Sequence, residues 1–137
     1  MDAFDSGVLV YAAVRHHPLG ARVLSLFAAA VQRSELAGVG SVLLIPELLS
    51  KPMRDDSQHE MDALGTLLSR LDLRPTDVQT ARVAAALAAT YRLRAADAIH
   101  LATAVNAGAQ RFITNNSKDF TTSISEIEVV YPANLPG

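Results

Sequence analysis

Short apolar runs that stop at an acid, an amide or a small polar residue alternate along this chain with amphipathic stretches too long to be hairpin turns. Ala3-Phe4 and residues 36–40, 71–73, 111–114 and 128–131 read as short strands. Between them the apolar spacing is helical. Val8, Leu9, Ala12 and Ala13 follow a Ser6 cap, and Val23, Leu24, Phe27 and Val31 follow Pro18, which suits a first helical turn. Ser41 is a candidate cap for the helix carrying Glu47, in which Pro46 fits only an early turn and which Lys51-Pro52 ends. Residues 54–60 are polar and read as an exposed connection before the stripe Met61, Leu64, Leu67, Leu68 and Leu71. Thr76 caps a helix with Val78, Ala81, Ala85 and Ala88 on one face; residues 91–94 interrupt it, and 95–106 form a last helix that stops at Gly108. Strands joined through helices need crossovers rather than hairpins. The expected class is therefore α/β, a short parallel sheet of about four to five strands with helices on both faces.

At 137 residues, 50% hydrophobic and 19% charged, the chain can bury a sizeable core, and a single domain over 1–137 is expected. It has no cysteine, which excludes a disulfide framework and a CxxC zinc site and favours a reducing compartment, with the cytoplasm as the default address. No stretch reaches the roughly 18 apolar residues of a membrane span, and the first residues, with Asp2 and Asp5, lack the basic region of a leader. The net charge of −2 gives no overall basic field for nucleic acid. All but Lys51 and Lys118 of the 12 basic residues are arginine, however, which suits bidentate phosphate contacts.

Asp5, Glu47, Asp97 and the pair Asn116/Asp119 each stand beside an apolar run. Asp97 starts a helix of about ten residues that descends ~15 Å. The chain turns at Gly108 and climbs back ~15 Å along a strand. Those lengths cancel, so Asn116 and Asp119 return to the edge that holds Asp97. Asp5 ends the first strand, and Glu47 reaches the same edge if its strand lies beside the first. Three or four carboxylates gathered there would raise one another's pKa and oppose folding unless a cation neutralised them. Oxygen donors with few histidines and no thiols suit Mg²⁺ or Mn²⁺, which leave positions for a phosphate and a water.

The segments FDSGVLVYA, SVLLIPELLSKP, RAADAIHLATA and FITNNSKDF, in that order over the whole chain, resemble the PIN-domain family, in particular the ribonuclease toxins of VapBC-type toxin–antitoxin modules. The resemblance implies a PIN-like three-layer α/β/α fold and a metal-dependent endoribonuclease whose products carry 5′-phosphate and 3′-hydroxyl ends. It implies Asp5, Glu47 and Asp97 as ligands of one or two Mg²⁺ or Mn²⁺ ions, with Asn116 or Asp119 as the fourth, and Ser6 steadying that shell through its hydroxyl. Arg92 and Arg94 are candidates for phosphate contacts. The implied partners are an RNA substrate, a cognate antitoxin laid across the groove, and a second copy of the chain. Two positions depart from the family pattern: Gly7 stands where an Asn is common, and Asn116 where an Asp is common.

Simpler roles exist for each residue. Asp5, Asn116 and Asp119 suit turns, Ser6 a plain cap, Glu47 a solvated helix face, and Asp97 a helix N-terminal charge. His100, one turn from Asp97 and so placed to orient it, reads rather as packing or hydrogen-bonded structure, His16-His17 as surface, and the alanine-rich helices as close-packing faces. A PIN-like binding module with weak or lost catalysis is the alternative function. A phosphoacceptor receiver domain is disfavoured, because Glu47 stands where its acceptor Asp belongs and Lys118 lies inside the NNSKDF loop.

Overall fold

The computed structural model describes residues 1–14 and 16–136. In chain order the elements are β1 (Asp2–Phe4), α1 (Ser6–Ala13), α2 (Pro18–Gln32), β2 (Gly38–Ser41), α3 (Leu44–Arg54), α4 (Gln58–Ser69), β3 (Leu71–Arg74), α5 (Val78–Tyr91), α6 (Ala95–Asn106), β4 (Arg111–Ile113) and β5 (Glu128–Val130), followed by a 3-10 turn at Pro132–Asn134. The strands form one sheet in the order β3-β2-β1-β4-β5, parallel at every pairing. Ala3 faces Val39 on one side and Phe112 on the other, and Phe112 faces Val129.

A sheet parallel throughout must have both faces covered, and the strand residues divide accordingly. Phe4, Ile113, Val130 and Leu71 pack with Val8 and Leu9 of α1, Val23 and Phe27 of α2, Leu44 and Leu48 of α3, and Leu64, Leu67 and Leu68 of α4. Their strand neighbours Ala3, Phe112 and Val129, with Val39, turn to the opposite face. There they meet Ala84 and Leu87 of α5, Leu101 and Ala102 of α6, and Phe120, Ile124 and Ile127 from the segment before β5. The three-layer α/β/α expectation holds. Its cause is visible in the strand order: the chain steps from β1 to β2 to β3 in one direction, then returns past β1 to β4. Right-handed crossovers in opposite directions place their helices on opposite faces.

Several local readings are corrected. Asp5, not Ser6, caps α1, its carboxylate accepting the Ser6 N–H. Asp77, not Thr76, caps α5, and that hydrogen bond from Thr80 holds the Asp77 carboxyl below its usual range. Ser41 ends β2, its hydroxyl accepting the Leu43 N–H, and α3 begins without a side-chain cap. Pro52 lies inside α3 rather than ending it, since a proline in the last turn removes a single helical bond and its own carbonyl still accepts the Ser57 N–H. Ser57 then caps α4, which begins at Gln58, ahead of the apolar stripe. His17 is not a bare surface residue: its Nδ1 accepts the Leu19 and Gly20 N–H groups, and its ring stacks on Tyr11. Gly108 adopts φ 74°, the left-handed turn that sends the chain from α6 toward β4. Gly20 serves packing instead, because a Cβ there would lie 2.0 Å from the Tyr11 carbonyl oxygen, so α2 crosses α1 at a distance no other residue permits.

Candidate active site at the carboxyl ends of the strands

The reversal of strand order between β1 and β4 opens a crevice beyond their carboxyl ends, where α/β folds collect ligands. Asp5 stands at the end of β1. The β1–β4 ladder continues through it, the Asp5 N–H donating to Ile113 O at 3.0 Å, and the residue as a whole is 6% exposed. Both of its oxygens are held. Oδ1 accepts the Ser6 N–H at 2.9 Å, and Oδ2 accepts the hydroxyl of buried Thr114, just past β4, at 2.8 Å. Thr114 in turn accepts the Asn116 N–H at 3.1 Å, so the loop after β4 hangs from the same hydroxyl. Asn116 and Asp119 then close on each other. The Asn116 amide donates to Asp119 Oδ2 at 3.0 Å, and the Asp119 N–H returns a bond to Asn116 Oδ1 at 3.2 Å.

Asp97 lies in the first turn of α6, and Glu47 in the first turn of α3. The carboxyl of Asp97 is pushed above its usual value, first by burial, then by the negative charges of Asp5 and Asp119, with Glu47 adding to the effect and His100 opposing it. Asp5, Asp119 and Glu47 are thus near enough to Asp97 for their charges to raise its carboxyl. No lysine or arginine is paired with any of them among the described residues; the ion pairs formed by those cations lie elsewhere, at Arg33–Glu35, Lys51–Asp55, Arg74–Asp72 and Arg111–Asp2. Nor do three His, Cys, Asp or Glu side chains among the described residues form a finished metal cage. The two observations agree once the protein partners are counted. Asp5 is tied to Thr114, Asp119 to Asn116, and Glu47 to His100, whose Nε2 lies 2.5 Å from Glu47 Oε1. The charges converge, while the oxygens are held by the protein.

The remaining candidates stand around this centre. Ser6 is the first residue of α1 and half-buried beside Asp5. Arg92, at φ 57°, ends α5, and Arg94 precedes the first turn of α6; both are exposed, and neither is among the groups acting on Asp97. A shallow cavity next to Asp5 is lined by Gly7, Val10, Tyr11, Asn115 and Asn116. Its floor is open at Gly7, where a Cβ would meet nothing within 4 Å. His100 is hydrogen-bonded, as one half of its sequence reading expects, but its partner is Glu47 across on α3, which sequence reasoning missed. A signal was available, since an imidazole one turn from Asp97 on an otherwise apolar helix face needs a polar partner.

The model of the PIN domain matches residues 3–130. This chain belongs to the PIN-domain family. The PIN fold is also what two solved structures share with it. A chain of a toxin–antitoxin complex from Klebsiella pneumoniae is 24% identical, with a TM-score of 0.70 over 96% of this chain and 98% of that one. A chain of VapBC2 from Rickettsia felis, solved bound to a DNA fragment from its promoter, is 18% identical, with a TM-score of 0.72 over 95% and 97%. None of the curated proteins matches this PIN domain. Among its described residues, no helix is long and apolar enough to cross a membrane.

Proposed function

We propose that this PIN domain is a metal-dependent endoribonuclease, the toxin of a toxin–antitoxin pair. The observation that carries the reading is the raised carboxyl of Asp97, on which the charges of Asp5, Asp119 and Glu47 act, with no lysine or arginine among the described residues paired with these acids. Such a donor set fits a hard divalent cation, Mg²⁺ or Mn²⁺. Asp5, Glu47 and Asp97 would hold it, with Asn116 or Asp119 completing the set. When bound, the cation supplies charge neutralisation at the phosphate and a more acidic water.

The chain's own residues do the rest. Asp5, gripped by Ser6 and Thr114, is a fixed point against which the scissile phosphate is placed. The Ser6 hydroxyl, at the mouth of the same turn, steadies that shell. Exposed Arg92 and Arg94 bracket the entry to α6 and offer planar guanidinium donors to the RNA backbone. Water adds to phosphorus in line as the bond to the 3′ oxygen breaks, and the leaving oxygen takes a proton, giving 5′-phosphate and 3′-hydroxyl ends. The Klebsiella and Rickettsia structures, named as a toxin–antitoxin complex and as VapBC2, support a cognate antitoxin as partner. A homodimer working in the cytoplasm belongs to the same reading.

The test is cleavage of a defined structured RNA by the purified protein and by Asp97→Asn, with Mg²⁺, with Mn²⁺ and with chelator. Metal-dependent cutting that the variant loses is the expected result; equal cutting by both would end the proposal. The closed pair formed by Asn116 and Asp119 favours a second reading, a PIN-like module that binds RNA or protein with weak or lost catalysis. A folded protein that binds RNA and cuts it under none of these conditions would select it.

A further inference from the structure

His100 is buried, with its side chain 1% exposed, and projects from α6 among residues that are almost all apolar. Its Nδ1 has no hydrogen-bond partner among the described residues and no access to water. Its Nε2 meets Glu47 Oε1, on the first turn of α3 and 53 residues away in sequence. An N–H on Nδ1 would be a buried donor without an acceptor, so the ring carries its proton on Nε2 and donates it to the carboxylate. The bond is lopsided in need. The Glu47 side chain is 33% exposed and could satisfy its oxygens with water. A histidine serving packing alone would leave this site better filled by an apolar ring, since one of its nitrogens stays unpaired. What the contact does accomplish is to hold an otherwise free glutamate in one orientation over the crevice.

We infer that His100 is a positioning residue for Glu47: it fixes Oε1 and leaves Oε2 to the divalent cation. The inference rests on the metal-dependent reading above. Histidine–carboxylate pairs of this kind orient a ligand before the ion arrives, and removal of such an outer partner typically lowers metal affinity by about 10–100-fold. Glutamine at 100 can place an amide N–H near the position of Nε2, whereas asparagine is too short to reach Glu47.

The experiment measures Mn²⁺ affinity by titration calorimetry on the full chain, for wild type, His100→Phe, His100→Gln, His100→Asn, Glu47→Gln and the Glu47→Gln/His100→Phe double variant. Thermal melts on the same samples report folding. Expected are a loss of about 10–100-fold in His100→Phe, recovery in His100→Gln, and no further loss when His100→Phe is added to Glu47→Gln. Should His100→Phe fail to fold, the two amide variants decide, with glutamine binding like wild type and asparagine weakened. Wild-type affinity in His100→Phe or in His100→Asn, or a full extra loss in the double variant, would overturn the positioning role while leaving the nuclease reading intact. A wild type that binds no Mn²⁺ would overturn both.

Discussion

Asp5 and Glu47 are the same kind of donor held in opposite ways. Asp5 is on the floor of the crevice, 6% exposed, with one oxygen capping α1 and the other accepting from Thr114. Glu47 is on the rim, its side chain 33% exposed, with one tie to His100. The floor acid is therefore part of the fold, because the atoms that would meet a cation also end β1, start α1 and anchor the loop after β4. The rim acid is nearly independent of the fold. Function and stability should separate at Glu47 and stay joined at Asp5.

The sharpest way to break this contrast is Asp5→Ala. It removes an N-cap, worth about 1 kcal/mol, and orphans the buried Thr114 hydroxyl donor at a further cost of about 1–3 kcal/mol. A destabilisation of ~2–4 kcal/mol in urea unfolding is expected, together with loss of RNA cleavage. Asp5→Asn keeps an acceptor for one partner, so it should lose less stability and still lose cleavage. An Asp5→Ala protein that unfolds like wild type would show that the floor is not structural at all.

Thr114→Val tests the floor from the other side. The hydroxyl gives one bond to Asp5 and takes one from the Asn116 N–H, and valine supplies neither. Leaving Asp5 Oδ2 without its donor in a buried site should cost about 1–3 kcal/mol, again read from urea unfolding. The loop carrying Asn116 and Asp119 should loosen with it, visible as faster amide exchange at Asn116.

How legible each region was in the sequence follows the same division. Asp5, Asp97 and the Asn116/Asp119 loop could be brought to one edge by element lengths alone, because a helix descending and a strand returning are constrained by geometry that every chain obeys. The switch point beside Asp5 is likewise a consequence of the crossovers. Contacts that depend on which atom of a side chain finds which partner were out of reach. Asp77 caps α5 although Thr76 precedes it with a suitable hydroxyl, and Pro52 sits within α3 because its missing N–H costs one bond in a final turn. The His100–Glu47 tie joins two helices whose approach is set by packing across the whole sheet, and no local spacing records it.

Glu47→Gln sharpens the rim side of the comparison. The amide keeps an oxygen for the His100 N–H, and the site is open to water, so stability should stay within about 0.5 kcal/mol of wild type. Cleavage of the structured RNA should nevertheless be lost, as the uncharged side chain no longer offers a cation its carboxylate. A variant that cuts normally would remove Glu47 from the site and leave the rim purely structural.

Asp97 lies between the two cases, and pH separates it from both by a small effect. Burial and the charges of Asp5 and Asp119 raise its carboxyl above the ordinary value of 3.8. The folded state then holds this proton more tightly than the unfolded chain does. The resulting stabilisation is full below the unfolded value and disappears as pH rises through the folded one, so the metal-free protein at neutral pH carries the charged Asp97 as a cost. Asp97→Asn should relieve it, making the metal-free variant more stable than wild type at pH 7 by less than about 1 kcal/mol, because the residue is only half-buried and water screens its carboxyl. The difference should vanish below the ordinary carboxylate range. Saturating Mn²⁺ should reverse the order at pH 7 by stabilising wild type alone, since an ion that binds only the folded state raises its stability by mass action. Identical melting of the two proteins at pH 7, with and without the ion, would mean that Asp97 does not share the space occupied by Asp5 and Glu47, and the contrast between floor and rim would lose the residue that joins them.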